Sequence, residues 1–339
     1  MKNPRAAHNF TSRSCSITGV GSYVPEKILT NADLEKMVET SDEWITTRTG
    51  IKERRIAAAD EFTSDLAAKA AVHAMEMAGV TAAQIDLIIV ASITPDMPFP
   101  NTACLVQQKI GARRIPAFDI EAACSGFLYA LEVGQAFVCG RTFETVLVIG
   151  AEKLSSITNW KDRNTCVLFG DGAGAAILQH RPAPASHGLL TAVLGADGAK
   201  GELLSMPGGG SRCPATAKTV QDGLHFLRMD GRETFKAAVQ AMCGAATEAL
   251  ARCEIDITRI KCVIPHQANR RIIDAVSERL GATPEQMFVN LHKYGNTSAA
   301  SVAIALDEAV RSGRVLHGDL ILVIAFGAGL TWGAAVIEW

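Results

Sequence analysis

What most limits the folds open to this chain is an internal repeat with a single spacing. Val80–Ile89 (VTAAQIDLII) matches Ile255–Ile264 (IDITRIKCVI) at an offset of 175 residues, and Leu147-Val148-Ile149 matches Leu322-Val323-Ile324 at the same offset. Ala130-Leu131 falls on Ala305-Leu306 in the same way. One spacing held across three separate segments points to a duplicated unit. The matched pieces are apolar runs of strand length alternating with helical stretches, so the expected fold is α/β, two sheets packed on each other through buried helices. Sites in such folds gather at strand ends and helix starts, near where the halves meet.

The stretch Asp119–Gly140 (DIEAACSGFLYALEVGQAFVCG) carries such a junction. Ala117–Ile120 reads as the end of a buried strand. Ser125–Val138 suits a helix that is apolar or small nearly all round, with only Glu132 charged, which predicts a central, buried helix. Cys124 then falls in the turn between them, where Ser125 and Gly126 let the backbone bend and helix-start amides point at the sulfur. The partial positive charge of a first helical turn, reinforced by neighbours, lowers a thiol pKa from about 8.5 into a range of roughly 3.5 to 7.5. On this reading Cys124 is held as a thiolate, although a lone buried cysteine is far more often an inert packing residue.

Bulk properties remove other classes. A formal charge of −2 over 339 residues gives no whole-protein attraction to nucleic acid or anionic lipid, so an acidic partner has to meet a local basic patch. No apolar run approaches the roughly 18 residues of a membrane span, and the start MKNPRAAHNFTSRS lacks a signal-peptide core, so a cytoplasmic location is expected. The nine cysteines are scattered, without a CxxC pair or a Cys/His ligand cluster, which argues against disulfides and structural zinc.

Along the chain, residues 1–14 are polar and expected to fray, Ser16–Val20 begins a first strand, Ser64–Ala78 forms a helix and Ile85–Ser92 a buried strand. In ETSDEWITTRTGIKERRI (residues 39–56), Ser41-Asp42-Glu43 starts a short helix that puts Trp44 and Arg48 on one face. That pair fits a seat for an adenine and its phosphates, and equally a surface Trp shielded by an arginine stem. A loop with Pro95, Pro98 and Pro100 carries Phe99, whose side chain suits packing, an oligomer contact or a pocket wall. A helix over about Thr102–Ile110 and a strand over Thr145–Gly150 follow. The glycines of NWKDRNTCVLFGDGAGAAIL (residues 159–178) lack a nucleotide-loop context and are read as tight packing.

The offset also brings chemistry together. His266, in VIPHQANRR, corresponds to Ala91 at a strand's C-terminal end, and Asn296, in YGNTSAASVAIAL, stands just before the helix matching the one after Cys124. All three then lie at equivalent edges. For Asn296 an ordinary helix cap is the plain alternative, and if Thr297 or Ser298 caps instead, its amide is left free to donate.

These motifs carry a resemblance. AACSGF around Cys124, PHQAN around His266 and YGNTSAAS around Asn296 resemble the active-site motifs of the β-ketoacyl-ACP synthase III family, enzymes of the thiolase fold that begin bacterial fatty-acid synthesis. TSDEWITTRTGI, NWKDRNTCVLFGDGAGA and FGAGLTWG (326–333) are similar to that family too, and the likeness runs from about residue 16 to the C-terminus. It implies a thiolase-like α-β-α-β-α sandwich with halves 15–180 and 181–339, and a homodimer. The implied reaction is the decarboxylating condensation of a short acyl-CoA, acetyl-CoA, with malonyl-acyl carrier protein (ACP).

By the same resemblance Cys124 is the nucleophile and His266 aids its deprotonation. His266 and Asn296 donate to the malonyl thioester oxygen, and the amides of Cys124 and Ala328 form the oxyanion hole. No cofactor is implied, coenzyme A being part of the substrate. Thr40, Trp44, Arg48, Arg163 and Asn269 bind it, Asn269 through the pantetheine arm. Phe99 closes the partner's acyl pocket. The carrier protein docks on Lys236, Gln267, Ala268, Asn269, Arg270 and Arg271, although Glu278 stands there where a lysine is common. A degradative thiolase needs a second cysteine that FGAGLTWG lacks, and elongating synthases have a histidine where Asn296 stands. A starter-unit ketosynthase or acyltransferase of secondary metabolism shares all three residues and is the competing reading; a carrier-binding scaffold would be expected to have lost part of the triad.

Overall fold

The computed structural model describes residues 13–182 and 188–339. Two sheets organise it. The first runs β1 (Arg13–Tyr23), β5 (Asp171–Pro182), β4 (Thr145–Lys153), β2 (Leu87–Ala91), β3 (Ala117–Ile120) in space, with β4, β2 and β3 parallel and the other pairings antiparallel. The second runs β6 (Gly188–Ala196), β9 (Thr331–Glu338), β8 (Leu320–Gly327), β7 (Cys262–Pro265). Shifting by 175 residues carries β2 onto β7 and β4 onto β8, and the spatial order of the four shared strands is the same in both sheets.

Between the sheets lie α4 (Gly126–Cys139) and α7 (Ala300–Arg311), and one apolar cluster joins Phe127, Leu128 and Leu131 of α4 with Val302, Ala303 and Leu306 of α7 and the inner faces of both sheets. Outer helices cover the far sides. On the first sheet, α2 (Thr63–Ala78) buries Leu66, Ala67, Ala70, Ala71 and Ala74, a helical stripe of mostly small residues, and α3 (Thr102–Lys109) lies beside it. On the second, α5 (Gly231–Arg252) and α6 (Arg270–Leu280) do the same. The fold is therefore the expected thiolase-like sandwich of five layers.

Three expectations need adjusting. β3 is the edge of its sheet and only half-buried, since among the described residues nothing pairs with its outer side. Of the segment expected to fray, residues 1–12 lie outside the described residues, while Arg13 and Ser14 already belong to β1. Strand β4 runs on past Gly150 to Lys153. The glycines near residue 170 do serve close packing: a Cβ on Gly174 would stand 2.5 Å from Ala303 Cβ.

Candidate active site

Cys124 occupies a short 3-10 turn, Ala123–Ser125, that leads from β3 into α4. Ala123 has φ +46°, a conformation costing on the order of 1 kcal/mol for a residue with a Cβ, so the surroundings must hold it. Ser125 Oγ and Thr331 Oγ1 do so: they are hydrogen-bonded to each other at 2.6 Å and lie 3.0 and 2.8 Å from the Ala122 carbonyl oxygen, to which the pair donates. From the other side the end of β8 presses in: a Cβ on Gly327 would stand 2.5 Å from the Cys124 nitrogen. The next residue, Ala328, thus borders the cysteine, and both line one cavity of about 1470 Å³.

His266 directly follows β7, its N–H donating to the Ile324 carbonyl at 2.7 Å. The imidazole Nδ1 lies 2.6 Å from Ser301 Oγ on α7, and the same oxygen accepts the Gln267 N–H at 3.4 Å. Where the Ser301 hydroxyl donates to Nδ1, the ring proton is on Nε2, and this is the tautomer assigned. Burial lowers the imidazole to about 4, so the ring is neutral near pH 7.

Asn296 is pinned by its backbone between Leu168 and Gly170, at 2.8 and 3.0 Å. Its side-chain oxygen accepts the Ser298 N–H at 2.8 Å, which fixes the amide orientation and leaves Nδ2 as the available donor. It does not cap α7; Ala299 holds that position without a side-chain bond. His266 and Asn296 line the same cavity as Cys124 and Ala328.

One expectation is reversed. Burial, followed by a smaller contribution from nearby Glu152, pushes the Cys124 thiol up to about 12, with Ser298 opposing. The unliganded site favours the thiol, not a standing thiolate. Sequence reasoning also missed Ser301, which orients His266, and Glu152, a buried carboxyl at the end of β4. The signal for Glu152 was present: it ends an apolar strand as His266 does.

Toward the mouth, Ser41 caps α1 (Asp42–Thr49), and the Trp44 ring is flanked by two guanidinium groups, Arg48 at 4.6 Å and Arg163 at 4.9 Å. Trp44, Arg48 and Asn269 line the cavity. Arg163 also donates to the Glu39 carbonyl at 2.9 Å, next to Thr40, whose buried hydroxyl has no partner. Asn269 caps α6 through Arg271 N–H and donates to the Arg48 carbonyl, so it braces two helices at the rim.

The family description 3-oxoacyl-[acyl-carrier-protein (ACP)] synthase III matches residues 118–198, and that of its C-terminal part matches residues 250–339. A β-ketoacyl-[acyl-carrier-protein] synthase III of Caldanaerobacter subterraneus subsp. tengcongensis is 58% identical over 96% of this chain and 98% of its own. This chain belongs to the β-ketoacyl-[acyl-carrier-protein] synthase III family. The synthase III of Desulfitobacterium hafniense strain DCB-2 is 53% identical over 96% and 98% of the two chains. The crystal structure of the synthase III from Aquifex aeolicus VF5 superposes with a TM-score of 0.89 at 48% identity, covering 96% of this chain and all of the other.

As a surface of a synthase III, the expected carrier contacts divide. Arg271 is exposed at the cavity rim, and Ala268 is half-buried there. Lys236 and Arg270 are exposed but paired with Glu233 at 2.7 Å and Asp274 at 2.6 Å. Gln267 is not a surface contact: it is 1% exposed, and its amide serves Pro265, Phe288, Asn290 and Leu291 internally. Phe99 is 84% exposed, with the neighbouring Pro98 rather than Phe99 on the cavity wall.

Proposed function

We propose that this chain condenses acetyl-CoA with malonyl-ACP to give acetoacetyl-ACP, CO2 and free CoA, the first carbon–carbon bond of fatty-acid synthesis. The observation that supports this reading is a single cavity lined by a cysteine, a histidine bonded through Nδ1 to Ser301 and an asparagine whose Nδ2 is left as a donor. Cys124 sulfur attacks the acyl-CoA carbonyl, and CoA leaves with a proton. Malonyl-ACP then enters, and His266 Nε2–H and Asn296 Nδ2–H donate to its thioester oxygen as CO2 departs, each donor worth about 3 kcal/mol toward the enolate. The carbanion attacks the acyl-Cys124 carbonyl, whose oxyanion rests on the Cys124 and Ala328 amides. Neither donor changes charge during the decarboxylation.

In the same reading Trp44, Arg48 and Arg163 hold the CoA nucleotide, with Thr40 beside them and Asn269 at the pantetheine arm. Arg270, Arg271, Lys236 and Ala268 meet the carrier protein. Phe99, exposed in one chain, closes the acyl pocket of a partner in a homodimer and favours a short primer. The halves meet near residues 180–181, no dissociable cofactor takes part, and the enzyme works in the cytoplasm. Among the described residues no helix is long and apolar enough to cross a membrane.

Intact mass spectrometry after incubation with acetyl-CoA tests the assignment. One acetyl group should appear on the wild type and none on Cys124→Ser; an adduct that persists in the variant overturns it. Rates with acetyl-, butyryl-, octanoyl- and aroyl-CoA then separate this reading from a secondary-metabolism synthase, which a strong preference for a long or aromatic primer would indicate.

A further inference from the structure

The stretch Ile51–Arg55 (IKERR) sends one of its charged side chains inward. Glu53–Arg55 is a short strand paired antiparallel with Ile28–Thr30, and alternation along it leaves Glu53 and Arg55 half-buried while Arg54 turns to the interior, fully buried. The Arg54 guanidinium donates to the Leu29 carbonyl at 3.1 Å, Asn31 Oδ1 at 2.9 Å and the Val167 carbonyl at 2.8 Å. All three acceptors are neutral, and Nε, buried as well, has no partner. Burial lowers the guanidinium only to about 10, so it keeps its charge at pH 7. A cation bonded to neutral oxygens alone recovers little of its desolvation cost, so stability does not account for an arginine at this position.

What the guanidinium fork holds is the strip of chain that carries Asn296. The Asn296 N–H donates to the Leu168 carbonyl at 2.8 Å and its carbonyl accepts the Gly170 N–H at 3.0 Å, so the asparagine runs parallel to Phe169. Val167, whose carbonyl Arg54 takes, is the residue before Leu168. The stem of Arg54 packs on the same contact from both sides: a Cβ on Gly170 would stand 3.1 Å from Arg54 Cβ, and one on Gly295, the residue before Asn296, 3.3 Å. Arg54 thus meets both segments of the contact between residues 167–170 and 295–296. Val167, Leu168 and Phe169 line the cavity together with Asn296, and Arg54 lies behind them without exposed surface.

Because Asn296 Oδ1 is fixed by the Ser298 N–H, the direction of Nδ2 follows the backbone, and that backbone follows the 167–170 strip. We propose that Arg54 is a positioning residue for Asn296: its guanidinium anchors the strip to which the Asn296 backbone is bonded, and so places Nδ2 where the malonyl thioester oxygen gains charge during decarboxylation. Arg54 itself touches no substrate. A planar fork with three bonds fixes a position that a single donor on a flexible stem leaves free. An aimed donor is worth about 100-fold in rate or more, and a displacement near 1 Å forfeits a factor of that size. Cys124 and His266 are held by other elements, the turn into α4 with Thr331 and the end of β7 with Ser301. The arginine therefore acts on decarboxylation rather than on acyl transfer. Asn31 also donates to Asp42 Oδ1 at 2.8 Å, at the start of α1, so acyl transfer is to be compared at saturating acetyl-CoA.

The proposal rests on Asn296 being the donor to the enolate, and its test keeps the two apart. Arg54→Lys retains the charge and loses the fork. It should slow CO2 release from malonyl-ACP about tenfold or more, while acetylation of Cys124, followed by quenched intact mass spectrometry, stays within about twofold of wild type. Arg54→Gln, uncharged and shorter, should show the same split and serves where the lysine variant does not fold. In an Asn296→Ala background, itself slowed about 100-fold, adding Arg54→Lys should bring no further loss, because the two residues act as one. Equal slowing of both steps, losses that multiply in the double variant, or unaltered CO2 release overturns the positioning role. Wild-type CO2 release by Asn296→Ala alone would overturn the role of Asn296 itself, and this proposal with it.

Discussion

Gly150→Ala tests whether the active-site geometry depends on contact between the two halves. A Cβ at this position would lie 2.5 Å from the Ala299 carbonyl oxygen, 2.9 Å from its carbon and 3.3 Å from Ala300 N, all backbone atoms that no rotamer change can move aside. Restoring an ordinary contact of 3.4 Å requires the turn to retreat by about 0.9 Å. Asn296 and Ser298 move with it, since the Asn296 oxygen is bonded to Ser298 N–H. Overpacking of this kind costs about 1–3 kcal/mol, a fall of roughly 1–4 °C in Tm for a chain of this length. A displacement near 1 Å costs about 100-fold in rate when reacting groups must be aligned. The expected result is thus a small loss of stability with a large loss of kcat in the condensation of acetyl-CoA with malonyl-ACP. A kcat within threefold of wild type, together with the Tm fall, would refute the reasoning.

Gly244→Ala is the matched control on α5, where a Cβ meets nothing within 4 Å; it should stabilise by about 0.5–1 kcal/mol and leave kcat unchanged, and a destabilised variant would contradict the packing described. Ser301→Ala removes the partner of His266 Nδ1 and should lower kcat roughly five- to tenfold, the worth of one buried hydrogen bond, with KM for malonyl-ACP unchanged and partial rescue by Ser301→Thr; unaltered kcat would sink the tautomer assignment. Because His266 is held near pKa 4 when folded, its contribution to stability is complete above about pH 6.5 and is lost as pH falls through 4, by up to about 3 kcal/mol. The Tm of His266→Gln should therefore decline less steeply than wild type between pH 7 and pH 4.5, and parallel curves would count against it. Arg54 is fully buried and donates to Leu29 O, Asn31 Oδ1 and Val167 O at 3.1, 2.9 and 2.8 Å, so Arg54→Met should cost about 3–5 kcal/mol by leaving three acceptors unpaired; an unchanged urea midpoint would show that water replaces the bonds.

The repeat made the architecture legible because it recorded strand positions in both halves at once. Leu147-Val148-Ile149 and Leu322-Val323-Ile324 fell on corresponding strands, and the matched edges held Cys124, His266 and Asn296. What the sequence could not show depends on neighbours distant along the chain. The resemblance placed Gln267 among the carrier contacts, but its amide is consumed by Phe288, Asn290 and Leu291, some twenty residues away. β3 read as buried because its composition is apolar, and composition says nothing about whether a further strand pairs with its outer side.

The protonation of Cys124 went wrong for a reason of magnitude. A helix start with neighbouring dipoles favours an anion by roughly 0.3–2 kcal/mol, and the sequence displays that contribution openly in Cys124-Ser125-Gly126. Burial acts the other way, and raising a thiol from its ordinary value of 9.0 to about 12 corresponds to roughly 4 kcal/mol. Burial wins, and it is set by what closes over the site: β8 at Gly327, the Ser298 turn and the β9 start at Thr331, all far from Cys124 in sequence. The helix dipole alone therefore cannot hold a thiolate here.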